Sequence, residues 1–116
     1  MDRRRTCLES LVSFDQPIER IRASLGEFPW DFETTLVFLT RDHAANVLRR
    51  YLDGTLSAGE VEEWANLLEG RDDIDFESGA EHLRDIIHEL ANPLLTQCLT
   101  VARGNALLNQ LRTASN

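Results

Sequence analysis

Two helix starts and two glycine stops between Thr40 and Gly70 constrain this chain more than any other feature. Thr40 reads as an N-cap, with a hydroxyl suited to accept a backbone N–H of the first turn, and Asp42 suits the positive end of the helix dipole. Ala44, Ala45, Val47, Leu48, Tyr51 and Leu52 then fall on one face, Arg49 and Arg50 occupy the last turn, and Gly54 supplies a left-handed stop. Ser57-Ala58-Gly59-Glu60 is a capping box, followed by Val61, Trp64, Ala65 and Leu68 at helical spacing and closed by Gly70. Only Thr55–Ser57 separates the two segments, so they are expected to form an antiparallel helix hairpin.

The flanks add shorter helices. Residues 1–14 read as a basic arm in which Leu8, Leu11 and Val12 suit a short helix. Asp15 reads as an N-cap, with Pro17 in the first turn and Ile18, Ile21 and Leu25 inward, for a helix near 16–25 that Gly26 stops. Thr34–Leu39 has the Thr, Val and Phe content of extended structure, but the run is too short to separate a strand from a buried helix and has no obvious partner. Arg71–Glu77 reads as a polar loop anchored by Ile74 and Phe76. A helix from Ser78 buries Leu83, Ile86, Ile87, Leu90 and Ala91, and Asn92-Pro93 ends it, because the residue before proline avoids the helical region. Thr100 caps a last helix with Val101, Leu107, Leu108 and Leu111 inward and Gly104 weakening its middle. The fold class expected is all-α, a compact bundle of four to five short helices around the central hairpin. The domain boundaries expected are a basic arm over 1–14 and a single helical domain over 15–116, a length that supports a core without staples.

Charge is distributed very unevenly. Between Leu52 and Asn92, twelve carboxylates face two arginines, Arg71 and Arg84, a balance of −10 in a chain whose total is −8. The flanks are therefore slightly basic, and the acidic run favours a basic partner and repels nucleic acid. All twelve basic residues are arginine. With no lysine, Schiff-base chemistry, a lysine nucleophile and the phosphate-binding lysine of a P-loop are excluded.

Candidate sites are few. Glu81, Asp85 and Glu89 repeat at four-residue steps on the helix after Ser78 and are expected to be solvated. Asp85 and His88, three apart, have the spacing of two ligands to one metal, but no second such motif stands on another helix. Asp42 and His43 are neighbours on a helix, where adjacent side chains do not face each other. No serine has a nucleophile-elbow setting, no glycine-rich loop cradles phosphate, and Asp73, Asp75 and Glu77 lack the glycine and distal glutamate of a calcium loop. Catalytic residues and cofactors are therefore expected to be none. Trp64 lies on an apolar stripe and reads as core. Trp30, within Phe28-Pro29-Trp30-Asp31-Phe32, reads either as a wrap over the bundle or as an exposed anchor of the kind found at binding hot spots.

Cys7 and Cys98 form no CxxC pair, and Cys98, among Leu94, Leu95 and Leu99, is expected to be a buried small hydrophobe in a reducing compartment. Arg3–Arg5 look like the start of a signal peptide, but the apolar stretch that should follow is interrupted by Glu9. No apolar run reaches the ~18–20 residues of a membrane span, and the location expected is the cytoplasm.

The stretch from Leu48 to Pro93, with RYLDGTLSAGEVEEWANLLEGRDDIDFE followed by HELANPLL, resembles a group of small, acidic, uncharacterised bacterial proteins. These share a YLxGxLSAxExExWAxxLExRxDIxxE…ELANP pattern over less than half of this chain. More loosely, Tyr51, Leu52, Gly54, Leu56, Ser57, Ala58 and Glu60 resemble the YLxGxISxxEF hairpin of bacterial self-protective (colicin-type) immunity proteins, with Val61 where those place phenylalanine. The resemblance implies an acidic helical bundle that binds a toxin domain. The leading expectation is a non-enzymatic protein-binding module of immunity or antitoxin type, offering Glu62, Glu63, Asp72, Asp73, Asp75 and Trp30 to a basic protein. The alternatives are a metal-binding protein or metal-dependent enzyme using Asp85, His88 and carboxylates of the 72–77 loop, and an oligomeric structural protein in which Trp30 and its neighbours form a self-interface.

Overall fold

The punctuation between Thr40 and Gly70 produces two helices, and a small sheet that local sequence does not announce closes around them. The computed structural model describes residues 3–26, 37–69, 74–77 and 81–113. Along these run α1 (Arg3–Ser13), α2 (Ile18–Leu25), β1 (Val37–Leu39), α3 (Arg41–Leu52), α4 (Ala58–Leu68), β2 (Ile74–Phe76), α5 (Glu81–Ala91) and α6 (Val101–Thr113). The fold is mostly helical, as expected, with the sheet as an addition. Of the expected features, residues 34–36, the Gly70 stop and the Ser78 start lie outside the described residues. No described helix is long and apolar enough to cross a membrane.

Both caps of the central pair form. Ser57 Oγ accepts the Glu60 N–H at 3.1 Å while the Glu60 carboxylate accepts the Ser57 N–H at 2.9 Å. Gly54, at φ +88°, turns the chain after α3 in a conformation that an L residue resists. Thr40 also builds a reciprocal box, with histidine in the place that glutamate usually takes. The His43 N–H donates to Thr40 Oγ1 at 3.2 Å and the Thr40 N–H donates to His43 Nδ1 at 3.0 Å.

β1 and β2 pair in parallel, with Val37 opposite Ile74, Phe38 opposite Asp75 and Leu39 opposite Phe76. Val37, Leu39 and Ile74 turn into the core while Phe38 and Asp75 face out. The ambiguous segment ending at Leu39 is thus extended over 37–39, and the apolar anchors Ile74 and Phe76 are its partner strand. Past the ladder, the Glu77 N–H bonds Leu39 O at 2.9 Å, and the Glu77 carboxylate accepts the Arg41 N–H at 3.0 Å. That bond to the backbone of α3's first turn lowers the Glu77 pKa.

One hydrophobic cluster runs through all eight elements. Leu8, Leu11 and Val12, which the sequence places on the basic arm, are fully buried in it together with Leu48, Val61, Trp64 and Leu83. Full burial of such side chains contributes about 1.5–3 kcal/mol each. The densest packing is α3 on α6 and α4 on α5, while α3 and α4 touch each other much less. Helix α2 starts differently from expectation: Pro17 occupies the cap position with no side-chain cap, and Asp15 lies outside it. Val101, expected inward, is 60% exposed.

Gly104 is buried because α6 crosses α3 at this point. A Cβ here would stand 3.1 Å from Leu52 Cδ2 and 3.4 Å from the Tyr51 ring, so the glycine that weakens the helix locally permits its closest approach. Gly104→Leu is expected to destabilise the protein by about 1–3 kcal/mol through overpacking, read from the urea midpoint, with α6 the first element to lose amide protection. An unchanged midpoint would mean that the helices do not approach as described.

The histidine box gives α3 a pH dependence. Burial lowers the His43 pKa below its ordinary value of 6.5, against the opposing fields of Asp42 and Glu77, and Nδ1 must stay unprotonated to accept the Thr40 N–H. With the folded pKa below the unfolded one, the full contribution is present above about pH 6.5 and is lost as pH falls toward the folded value, where the unfolded chain alone takes up the proton. Glutamine at this position keeps the reciprocal bond without titrating. His43→Gln should therefore lose less stability than the wild type between about pH 7.5 and pH 5.5 in urea titrations; equal losses would remove His43 as the cause.

Candidate functional site

Trp64, Val61, Ala65 and Leu68 all turn inward on α4, which dictates where its carboxylates stand. Glu62 and Glu63, adjacent in sequence, flank that buried stripe on different sides. Glu63 pairs with Arg22 of α2, both side chains about half exposed. Glu62 faces the other way, into a cleft that it shares with Glu89 of α5.

The remaining acids are distributed along β2 and α5. Asp75 faces outward on its strand, accepts the Phe76 N–H at 2.8 Å and lies 3.6 Å from Arg84, whose guanidinium stacks 4.5 Å from the centre of the Phe76 ring. Glu69, just past α4, accepts from the Asn92 amide at 3.0 Å and lies 2.7 Å from His88 Nδ1. Glu77 pairs with Arg41 at 3.2 Å. Asp72, Asp73 and Trp30 lie outside the described residues, as does the side chain of Glu81. Of the sequence-derived partner surface, the structure therefore describes Glu62, Glu63 and Asp75, each with different neighbours: the cleft, Arg22 and Arg84.

Glu89 corrects the expectation of a solvated acidic face on α5. Its side chain is 14% exposed and takes both arms of the Arg103 guanidinium, at 2.8 and 2.7 Å. Eight residues along a helix rotate about 80° past two whole turns, so a stripe drawn through Glu81, Asp85 and Glu89 drifts, and its last member meets α6. Hydrogen bonding to Glu89, ahead of the opposing burial, raises the Arg103 pKa. Asp85 remains exposed, and His88 is taken up by Glu69 and Asn92. Among the described residues no group of three or more histidine, cysteine, aspartate and glutamate side chains is placed to hold a metal ion.

The connector from Asn92 to Thr100 holds one residue that sequence reasoning misplaced, Cys98. Pro93 ends α5, and the Thr96 hydroxyl donates to the Glu89 and Asn92 carbonyls at 3.1 and 2.8 Å, adding to the backbone N–H bonds that both already accept. The turn that results sends Leu94 and Leu95 into solvent and leaves Cys98, expected to be buried, exposed. The usable signal is Pro93: past it, helical spacing no longer says which apolar residues face inward. Between this connector, the first turn of α4 and the end of α5 lies the cleft, about 370 Å³, with Val61, Leu90 and Leu99 as apolar walls.

Among the described residues that line the cleft, no hydrogen bond joins a nucleophile to a base. No family model matches the chain, and no curated protein or solved structure is measurably similar to it.

The Glu89–Arg103 pair sets the relation of α5 to α6. Arg103→Met is expected to destabilise by about 1–2 kcal/mol, as charge-assisted hydrogen bonds do, because Glu89 then keeps its burial without its cation. A double-mutant cycle with Glu89→Met, read by urea unfolding, should give a coupling energy clearly above the scatter of additive pairs. Coupling near zero would mean that the pair does not form in solution.

Proposed function

We propose that this protein is a non-enzymatic protein-binding module of the immunity or antitoxin type, which presents the acidic surface of α4, β2 and α5 to a basic protein. The observation that carries the reading is the state of the carboxylates after folding. Arg22, Arg41 and Arg103 return from the flanks onto Glu63, Glu77 and Glu89, yet the segment stays strongly acidic, and Glu62 and Asp85 keep no cation among the described residues. Carboxylates on helix surfaces with no partner of their own are the groups that a cationic protein surface complements.

In this reading the partner also reaches Glu63, on the other flank of α4, and Asp75 on β2. Their pairs with Arg22 and Arg84 are exposed and of the kind that contributes little to stability, so a partner's cations exchange with them at small cost. Asp72, Asp73 and Trp30 join the surface on the strength of the sequence. In this reading α3 and α4 form the central antiparallel hairpin of the module, and the free thiols Cys7 and Cys98 suit a reducing, cytoplasmic setting. A cationic nuclease is the natural class of target, because carboxylates spaced along helices can occupy a groove built for phosphates. The resemblance of the α3–α4 stretch to immunity proteins points the same way.

The test is capture of partners from native lysate at low salt, followed by association kinetics with the protein recovered. Reversing Glu62, Glu63, Asp72 and Asp73 together to arginine should slow association by about tenfold or more at low ionic strength and abolish its salt dependence. An unchanged association rate, or the absence of any basic partner, would overturn the reading.

A further inference from the structure

Leu94 is 96% exposed and Leu95 79%, on a turn held by the Thr96 hydroxyl rather than on a loose end. Single exposed leucines are ordinary, but two in succession against an open apolar cleft make a surface that water covers poorly. The cleft is at the lower end of ligand-sized cavities, so it accommodates a side chain or two and not a whole helix. Its walls are Val61, Leu90 and Leu99, and two carboxylates line it. Glu89 is already held by Arg103, whereas Glu62 has no cation among the described residues.

We propose that this cleft docks a segment of a basic partner protein in which a large apolar side chain stands next to an arginine or lysine. The apolar side chain packs between α4 and α5 against Leu94, and the neighbouring cation pairs with Glu62. The proposal rests on the reading of the protein as an acidic binding module and names the part of that surface where the specific contact is made. Charge complementarity selects this occupant over a second copy of the chain. A two-fold contact presents the same patch from both sides, so self-association would bring two Glu62 carboxylates into one apolar interface, with Arg103 already committed to Glu89.

The experiment is an NMR titration of the labelled full chain with acetyl-Trp-Arg-amide, with acetyl-Trp-Glu-amide as the control for charge. The arginine peptide should shift the amides of Val61, Glu62, Leu94 and Cys98 and bind at least about twofold more tightly than the glutamate peptide, the scale of one exposed ion pair. Glu62→Gln should abolish that preference, and Leu94→Ser with Leu95→Ser should weaken both peptides; since both leucines are exposed, the double variant should melt with the wild type. Shifts scattered away from the cleft, or a preference that survives Glu62→Gln, would overturn the proposal. So would a wild-type dimer in sedimentation that the double leucine variant converts to monomer, since the occupant would then be a second copy. If a captured basic partner binds the leucine variant normally but loses the variant carrying Glu63→Arg, Asp72→Arg and Asp73→Arg, the cleft proposal fails and the broader reading stands. Absence of any basic partner removes the broader reading itself.

Discussion

The hydrogen bond from the Trp64 indole to the Leu11 carbonyl, 2.6 Å long and fully buried, is the contact on which the rest of the structure turns. An indole N–H out of reach of water must find an acceptor, and the last turn of α1 offers carbonyls that no further helical residue can satisfy. The chain then passes through Phe14 at φ +51°, an unusual conformation for a bulky residue, with a strain of about 1–3 kcal/mol. Its surroundings hold it there. The Phe14 ring stacks on Trp64 at 6.3 Å, and Arg50 of α3 lies over that ring and donates to the Phe14 carbonyl at 2.6 Å. Three helices meet at this point, and the direction in which Trp64 faces sends Glu62 and Glu63 to opposite flanks of α4. The site is therefore a consequence of the core.

Folding also redistributes the charge. As a linear sequence the acidic run and its arginine-bearing flanks are separate, but the tertiary structure brings Arg22, Arg41 and Arg103 onto it from three different elements. Arg22–Glu63 is exposed and weak; Arg103–Glu89 is bidentate and largely shielded from solvent, which makes it a structural joint between α5 and α6. This selective pairing turns a uniformly acidic segment into a surface with distinct groups. Some carboxylates serve the fold, and Glu62, in the cleft, and Asp85, exposed on α5, are left without a cation among the described residues.

The elements legible in the sequence are those that local bonds define. The Ser57 box, the Gly54 turn and the inward stripe of α4 each depend on groups within a few residues, so spacing alone reveals them. The sheet was hidden for the opposite reason. Three-residue strands are too short to show a period, and the partner of Val37–Leu39 stands beyond two intervening helices. Ile74-Asp75-Phe76 does alternate, a weak sign that became meaningful only with its parallel neighbour. Gly104 was misread in kind: helix propensity marks it as a weakness, while the approach of Tyr51 and Leu52 makes it the residue that lets α6 close on α3. Cys98 was assigned to the interior because apolar residues surround it in sequence, and hydrophobicity records what a side chain prefers and not what a turn allows.

By itself the sequence determined that this chain would be mostly helical, where its central helices start, and that its negative charge would lie on one stretch, because caps, glycine turns and helical periodicity act over a few residues. Only the tertiary structure decided which helices pack most closely, which carboxylates are neutralised, and that an apolar cleft opens beside two exposed leucines. Those outcomes depend on groups far apart in the chain, on the Trp64–Leu11 bond, the Gly104 crossing and the Arg103–Glu89 pair, whose energies exist only once the chain has brought them together.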